Sequence, residues 1–148
     1  MTLSPYFRPE IAATSVTARA FDSLSGVHRS LLWYLDVEKL SLSQVGEIMG
    51  LDSGSIVAQI AQARFDLRSA WVVEQASNPK TPLLCAAITK ELARGAIRLL
   101  SQAQRDEIQE HLTYCIRCTI LAEELDHLHE HLPIAMLPLV VGPPSIEA

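Results

Sequence analysis

The chain has 148 residues, enough for one domain or two small ones, and 49% of them are hydrophobic. Only 5% are aromatic, so Leu, Ile, Val and Ala must form most of the core. The formal net charge is −5, and most of the acidic excess follows Lys80. A nucleic-acid-binding protein normally presents a basic face, and the composition indicates none.

The amino-terminal half is predicted to be helical after a short arm. Residues 1–13 contain Pro5 and Pro9 and are expected to form an extended, flexible arm. From residue 14 to 75, apolar residues recur at helical spacings. A break at 24–26 separates the first helix from a second one over about residues 27–39. The sequence therefore predicts a first helical domain over 14–75.

The most informative local signals in this half are helix caps. Ser41 and Gln44 form a capping box that begins a short helix, and Gly50 provides the left-handed turn that ends it. Asp52 is a suitable cap for the next helix, whose inward face would include Ile56. Two helices joined by a tight glycine turn predict a helix-turn-helix.

The second half is predicted to form a smaller helical unit. Residues 76–83 are rich in Ser, Asn, Pro and Lys and are expected to be a linker. Three helices are predicted within 84–132: about 84–94, from Ser101 to about 112, and 116–131. Pro133 would end the last helix, and 133–148 would be a tail. The fold class expected is all-α, a helix-turn-helix domain followed by a small zinc-stapled three-helix domain.

Four side chains in this unit are candidate metal ligands. His111, Cys115 and Cys118 form a His-x-x-x-Cys-x-x-Cys cluster, and Cys85 is the remaining cysteine. The two-residue gap lets one turn point both sulfurs at one ion, and His111 lies about one helical turn before Cys115. Three thiols and one imidazole complete a closed tetrahedral Zn²⁺ site. The alternative is that Cys85 is a buried small hydrophobe and that Cys115 and Cys118 form a dithiol.

Enzymatic activity is not expected, and no residue is assigned a catalytic role. A catalytic zinc keeps one position open for water, whereas four protein ligands close the shell. The deaminase pattern fails, since Thr113 stands where its Glu would be and Tyr114 where its Pro would be. A Cys-x-x-Cys redox motif would be expected in a βαβ context, which this helical pattern does not provide.

The protein is expected to be cytoplasmic. Three cysteines, an odd number, argue against a secreted disulfide framework. The amino terminus has neither the basic nor the apolar region of a signal peptide. The longest apolar stretch, 132–141, is interrupted by Pro133 and Pro138 and is too short to span a bilayer. We therefore expect reduced thiols and no membrane contact.

Residues 24–68 resemble the fourth conserved region of bacterial sigma factors, the helix-turn-helix that reads the promoter. The matching features are Arg29-Ser30-Leu31-Leu32, Leu40-Ser41, Val45-Gly46-Glu47-Ile48, Gly50-Leu51, Ser53-Gly54-Ser55-Ile56, Ala63-Arg64 and Leu67-Arg68. The resemblance implies an all-helical domain that contacts promoter DNA or an RNA polymerase subunit. No sigma region two fits in residues 1–23, so we expect that this chain is not a complete sigma factor.

The second half resembles the zinc-binding anti-sigma domain. A lone cysteine, a helix pair and then the His111–Cys118 cluster carry this resemblance, and Cys85 falls where the first ligand is expected. The whole arrangement is similar to actinobacterial sigma-factor-like proteins that fuse the two modules. It implies transcription regulation, with a sigma factor, an anti-sigma factor or an RNA polymerase subunit as partner; a homodimer is also considered. Oxidation of the thiols in some family members makes a zinc-thiol sensor controlling a sigma factor a second hypothesis.

DNA binding by the helix-turn-helix is one of two interpretations that stay open. From Ser41 to Ala63 there is no Lys or Arg, and phosphate contacts supply most of the affinity for DNA. In one interpretation this missing charge means that the domain serves as a protein-interaction scaffold. In the other interpretation it is a stand-alone DNA-binding regulator, with four residues reading base edges and two holding phosphates. These candidates are Ser53, Ser55, Gln59, Gln62, Arg64 and Arg68.

A leucine stripe and a histidine run complete the candidates. Leu121, Leu125, Leu128 and Leu132 lie on one helical face and are predicted to bind a partner. That partner would be either a separate sigma factor or the chain's own helix-turn-helix. The histidines of 127–131 are expected to be a solvated polar face rather than a second metal site.

Overall fold

The computed structural model describes residues 16–93 and 100–141, and within these ranges all regular secondary structure is helical. The predicted all-α class is therefore confirmed for the described residues. The first half contains α1 (Val16–Asp22), α2 (Gly26–Leu32), a π-helical turn (Trp33–Val37), α3 (Leu42–Met49) and α4 (Ser53–Ala76). The second half contains α5 (Leu83–Ala93), α6 (Gln102–Tyr114), α7 (Ile116–Asp126) and α8 (Leu132–Val141).

The helix caps predicted for α3 and α4 are present. The Ser41 hydroxyl accepts a hydrogen bond from Gln44 N at 3.1 Å, and Ser41 N donates to the Gln44 side chain at 2.9 Å. Gly50 ends α3 with φ 69°, a conformation that glycine adopts without strain. The Asp52 carboxylate then accepts from Ser55 N at 2.8 Å and begins α4. These contacts fix the turn between α3 and α4.

A close approach within this turn favours glycine at position 46. A Cβ atom there would lie 3.0 Å from the carbonyl oxygen of Leu51. Leu51 N donates to Gly46 O at 2.9 Å, so the turn folds directly onto α3. A small core of Leu31, Val45, Ile56 and Ile60 packs α2, α3 and α4 together.

The larger hydrophobic core is shared by the two halves of the chain. It combines Phe21 of α1 and Trp71 of α4 with Ile88 of α5, Leu125 of α7 and Met136 of α8. The segment predicted as a linker, 76–83, thus connects helices that pack against each other. Arg68 strengthens this contact, because it donates to the carbonyl of Leu125 at 3.0 Å.

The end of the chain differs from the prediction. The helix expected over 116–131 ends at Asp126, and a further helix, α8, begins at Leu132. Pro133 lies in the first turn of α8, where a backbone N–H would have no helical acceptor, so it begins this helix rather than preventing one. Met136 is fully buried, so part of the predicted tail belongs to the core. The predicted arm over 1–13, the helix end near Gly95 and the tail beyond 141 lie outside the described residues.

No helix in the described residues is long and apolar enough to cross a membrane.

Candidate metal centre

The four predicted ligands come from three helices that meet at one end of the second half. Cys85 lies in the first turn of α5, and His111 lies in the last turn of α6. Cys115 is at once the residue that ends α6 and the one that begins α7, and Cys118 lies in the first turn of α7. The short α6–α7 junction thus delivers three ligands, and α5 delivers the fourth.

The ligand atoms of this Cys/His cluster face a common point. Cys85 Sγ lies 3.7 Å from His111 Nε2 and 3.7 Å from Cys115 Sγ. His111 Nε2 lies 3.1 Å from Cys118 Sγ. All four atoms are within 4.8 Å of one another, and the three cysteines are free rather than joined in a disulfide. The cluster can therefore hold a metal ion, and in the described parts of the chain no other group of three or more His, Cys, Asp or Glu side chains is gathered in this way.

Hydrogen bonds from nearby threonines fix the backbone around these ligands. Thr89 donates to the carbonyl of Cys85 at 2.7 Å, and Thr119 donates to the carbonyl of Cys115 at 2.9 Å. Arg117, between the last two cysteines, donates to Thr81 Oγ1 at 2.8 Å, just before α5. This last bond ties the start of α7 to the segment just before α5, and so links the two parts of the chain that carry the four ligands.

The pKa values of the two thiols in the Cys-x-x-Cys sequence are shifted in opposite directions. The backbone N–H of Cys118 lowers the pKa of the Cys115 thiol, because it donates to that sulfur from the first turn of α7. Burial raises the pKa of the Cys118 thiol to about 12. Cys85 and Cys118 are buried, whereas Cys115 and His111 are partly exposed. A bound cation would offset the cost of the buried thiolate, since metal ligation deprotonates thiols.

The polar DNA-binding candidates lie on the exposed first turns of α4. Ser53 and Ser55 are exposed to solvent. Gln59 lies 3.3 Å from the His28 ring nitrogen, and Gln62 donates to Asp66 at 2.8 Å. The two serines are accessible, while the two glutamines have contacts within the chain.

Both arginines proposed for phosphate contacts are engaged inside the protein. Arg64 binds the carboxylate of Asp36 with two nitrogens, at 2.7 Å from Nη2 and 3.4 Å from Nε. The Asp36 side chain is only 6% exposed and that of Arg64 is 34% exposed, so the carboxylate lies on the inner side of the pair. Arg68 donates to the Leu125 carbonyl, in the last turn of α7. Both guanidiniums thus make contacts within the chain.

Asp36 is a residue that sequence reasoning missed. It lies in the π-helical turn, where Glu38 N donates to Trp33 O at 2.9 Å and the chain makes a wider turn than an α-helix. The available signal was a single carboxylate within the otherwise apolar run Trp33-Tyr34-Leu35-Asp36-Val37. A buried carboxylate requires a partner, but the sequence alone does not identify Arg64 as that partner.

The leucine stripe lies inside the chain's own core. Leu121, Leu125, Leu128 and Leu132 are all buried, in the same cluster as Phe21 and Trp71. The four leucines therefore do not form an open surface for a separate partner, because the chain's own core already covers them. An apolar helical face in a sequence indicates that another segment packs against it. It does not indicate whether that segment belongs to the same chain.

The histidine run is polar and solvated at its first residue. His127 lies 3.3 Å from Glu123 and 3.2 Å from Glu130, and its side chain is exposed. The Glu130 carboxylate raises the pKa of His127, because the hydrogen bond favours the charged imidazolium.

No family model, no curated protein and no solved structure matches this chain.

Proposed function

We propose that this protein is a zinc-binding transcription regulator that acts by binding a sigma factor, an anti-sigma factor or an RNA polymerase subunit in the cytoplasm, without catalytic activity. The observation that carries the proposal is the engagement of Arg64 and Arg68 inside the chain. With no Lys or Arg from Ser41 to Ala63, the helix-turn-helix of α3 and α4 lacks the charge that DNA affinity requires. A protein partner is therefore favoured over promoter DNA.

Zinc is the metal that the donor set favours. Thiolate ligands select zinc over the harder cations, and Cys₃His is a common structural set. A tetrahedral site with Zn–S bonds of about 2.3 Å has sulfur–sulfur edges of about 3.8 Å. The Cys85–Cys115 separation of 3.7 Å fits this edge. Bound there, zinc supplies structural cross-linking of α5, α6 and α7, and four protein ligands leave no position for a reacting water.

We call α5, α6 and α7 with the bound ion the zinc unit. It is proposed to regulate by holding the helix-turn-helix in one arrangement. Leu125 packs in the core with Trp71 and also receives the Arg68 hydrogen bond through its carbonyl. Helix α4 therefore carries the helix-turn-helix at one end and is contacted by the zinc unit at the other. Loss of the ion would loosen α7 and, through this contact, the support of α4.

The test compares protein binding with DNA binding by the same zinc-loaded chain. Purified core polymerase, sigma factors and anti-sigma factors from the native organism are titrated by calorimetry, and promoter fragments by mobility shift at low salt. We expect saturable binding to one of the proteins and only weak, unselective binding to DNA. Sequence-selective DNA binding without any protein partner would instead establish a stand-alone DNA-binding regulator.

A zinc-thiol sensor is a second candidate, favoured by the partly exposed Cys115 among three closely spaced thiols. Peroxide would take two electrons from the Cys115 and Cys118 thiolates, forming their disulfide and two waters after proton uptake, with release of the ion. Zinc release at micromolar peroxide together with loss of partner binding would support this function. Binding that is indifferent to peroxide would remove it.

A further inference from the structure

The outer side of the α3–α4 pair carries an open apolar groove. Two adjoining cavities of about 610 and 430 Å³ form it and share Leu42 and Val57 as lining residues. We define the α3–α4 groove by its principal lining residues, Leu42, Gly46, Leu51, Ile56, Val57 and Ala61. Its lining includes no residue of the metal centre or of the leucine stripe, so neither of them explains it.

Large apolar side chains are exposed along this groove. Val57 is 57% exposed and Leu42 is 47% exposed, and both line the two cavities. Exposed apolar residues that line one continuous depression are typical of a protein-binding surface. The same outer face of the second helix is where a DNA-binding helix-turn-helix would present polar side chains to the major groove.

The charge around the α3–α4 groove is negative. Glu47 lines it, and Asp52 lies in the chain between the lining residues Leu51 and Ser53. The hydrogen bond from Ser55 lowers the pKa of Asp52, so this carboxylate is ionised at neutral pH. At the far end, Arg64 lines the second cavity but is paired with Asp36. Such a surface repels phosphate and attracts cationic side chains.

The length of the groove suits a short helix. Its lining residues on α4 run from Ser53 to Arg64, which corresponds to about 16 Å along the helix axis at about 1.5 Å per residue. A bound helix of roughly three turns would cover this length and would place apolar anchors at positions i, i+3, i+4 and i+7.

We propose that the α3–α4 groove binds an amphipathic helix of a partner protein, with its apolar face on Leu42 and Val57 and with Lys or Arg side chains beside Glu47 and Asp52. The inference deepens the proposed function, on which it rests, by giving the site and the chemistry of the partner. Phosphate-bearing DNA is the occupant that the same observations disfavour.

Site-specific photo-crosslinking in the native cells tests the occupant directly. A photoreactive phenylalanine replaces Val57 in the full chain, and a matched variant carries it at Val73. Val73 is the control because it lies on the same helix, outside both cavities, and is 60% exposed. We expect the Val57 probe to capture one protein segment at several times the yield of the Val73 probe. Mass spectrometry should show apolar residues spaced by three and four with flanking Lys or Arg.

Each other outcome overturns the inference. These outcomes are equal yields at the two positions, capture of DNA, capture of a second copy of this chain, and capture of an acidic or non-helical segment. The captured segment is then synthesised as a peptide and titrated by fluorescence anisotropy against the zinc-loaded chain. Val57→Lys should weaken binding by about tenfold or more, whereas Val73→Lys should leave it unchanged.

The charge requirement has its own test, and the two proposals can fail separately. Glu47→Lys should weaken peptide binding and reduce its dependence on salt, while circular dichroism and zinc content stay as in the wild type. Unchanged binding in both Glu47→Lys and Val57→Lys refutes the inference that the groove binds the helix.

If sigma factor or polymerase binding survives Val57→Lys, the groove inference fails and the proposed function stands. If the captured helix belongs to a protein unrelated to transcription, the proposed function fails and the groove stands.

Discussion

The Asp36–Arg64 pair offers a test of whether the fold itself suppresses DNA binding. Replacement of Asp36 by Asn keeps the shape of the side chain but removes its charge. The Asp36 side chain is 6% exposed and that of Arg64 is 34% exposed. Breaking a fully buried pair costs about 3–5 kcal/mol, but this arginine can recover part of its hydration. We therefore expect Asp36→Asn to lower the free energy of unfolding by about 2 kcal/mol.

The same substitution should increase affinity for DNA. In Asp36→Asn, no carboxylate balances the charge of the Arg64 guanidinium. This guanidinium lies on α4 at the end of the α3–α4 groove. One additional phosphate contact makes the negative slope of log K against log salt concentration steeper by about one unit. Urea unfolding measures the stability change, and fluorescence anisotropy with a random duplex at several salt concentrations measures the slope.

A matched control uses an exposed pair with similar chemistry. Asp22 binds Arg29 at 3.3 Å, and the Asp22 side chain is 53% exposed. Asp22→Asn should change stability by less than about 1 kcal/mol and should leave DNA binding as it is. If Asp36→Asn behaves in the same way as Asp22→Asn, the pair does not hold Arg64 away from phosphate, and the reasoning from the engaged arginines is refuted.

Three further predictions concern the core, the metal and pH. Leu125→Ala should lower the free energy of unfolding by about 3 kcal/mol, whereas Ile120→Ala, at a 54% exposed position on the same helix, should change it by less than about 0.5 kcal/mol; equal urea midpoints would place the leucine stripe outside the core. Elemental analysis should find one zinc per chain. Removal of the zinc by a chelator, or the substitution Cys118→Ser, should make residues around α6 and α7 sensitive to limited proteolysis. A proteolysis pattern that chelation leaves unchanged would exclude a structural ion. The folded-state pKa of Asp52 is lowered from 3.8 by the Ser55 hydrogen bonds, so its contribution to stability is present above that pH and is lost as the pH falls through the folded value. Urea midpoints between pH 2 and 6 should show this loss in the wild type and a shallower one in Asp52→Asn, and parallel profiles would contradict it.

Local chemistry made the helix boundaries of the first half predictable. Ser41, Gly50 and Asp52 act on backbone groups within three or four positions, so their roles follow from the sequence alone. Ser101, in the second half, is a further example of a predictable helix cap. It forms with Gln104 the capping box that begins α6. The Cys/His cluster was predictable for a similar reason, because three of its four ligands lie within one helical turn or two.

The features that the sequence did not reveal depend on contacts between distant segments. The sequence predicts that Pro133 ends a helix, but the burial of Leu132 and Met136 against the first-half helices favours a helix that begins there. The partner of Asp36 is 28 positions away, and the partner of Arg68 is 57 positions away. Periodicity identifies an apolar face or an isolated charge but not the segment that packs against it.

These distant contacts connect the two halves of the proposed function. Arg68 donates to Leu125 O in the last turn of α7, where the helix dipole favours a cation. The carboxylate of Asp36 balances the charge of Arg64, while Arg68 uses one guanidinium nitrogen for the contact between α4 and α7. What α3 and α4 present to solvent is an apolar groove with carboxylates beside it, and the proposed protein contact rests on this surface.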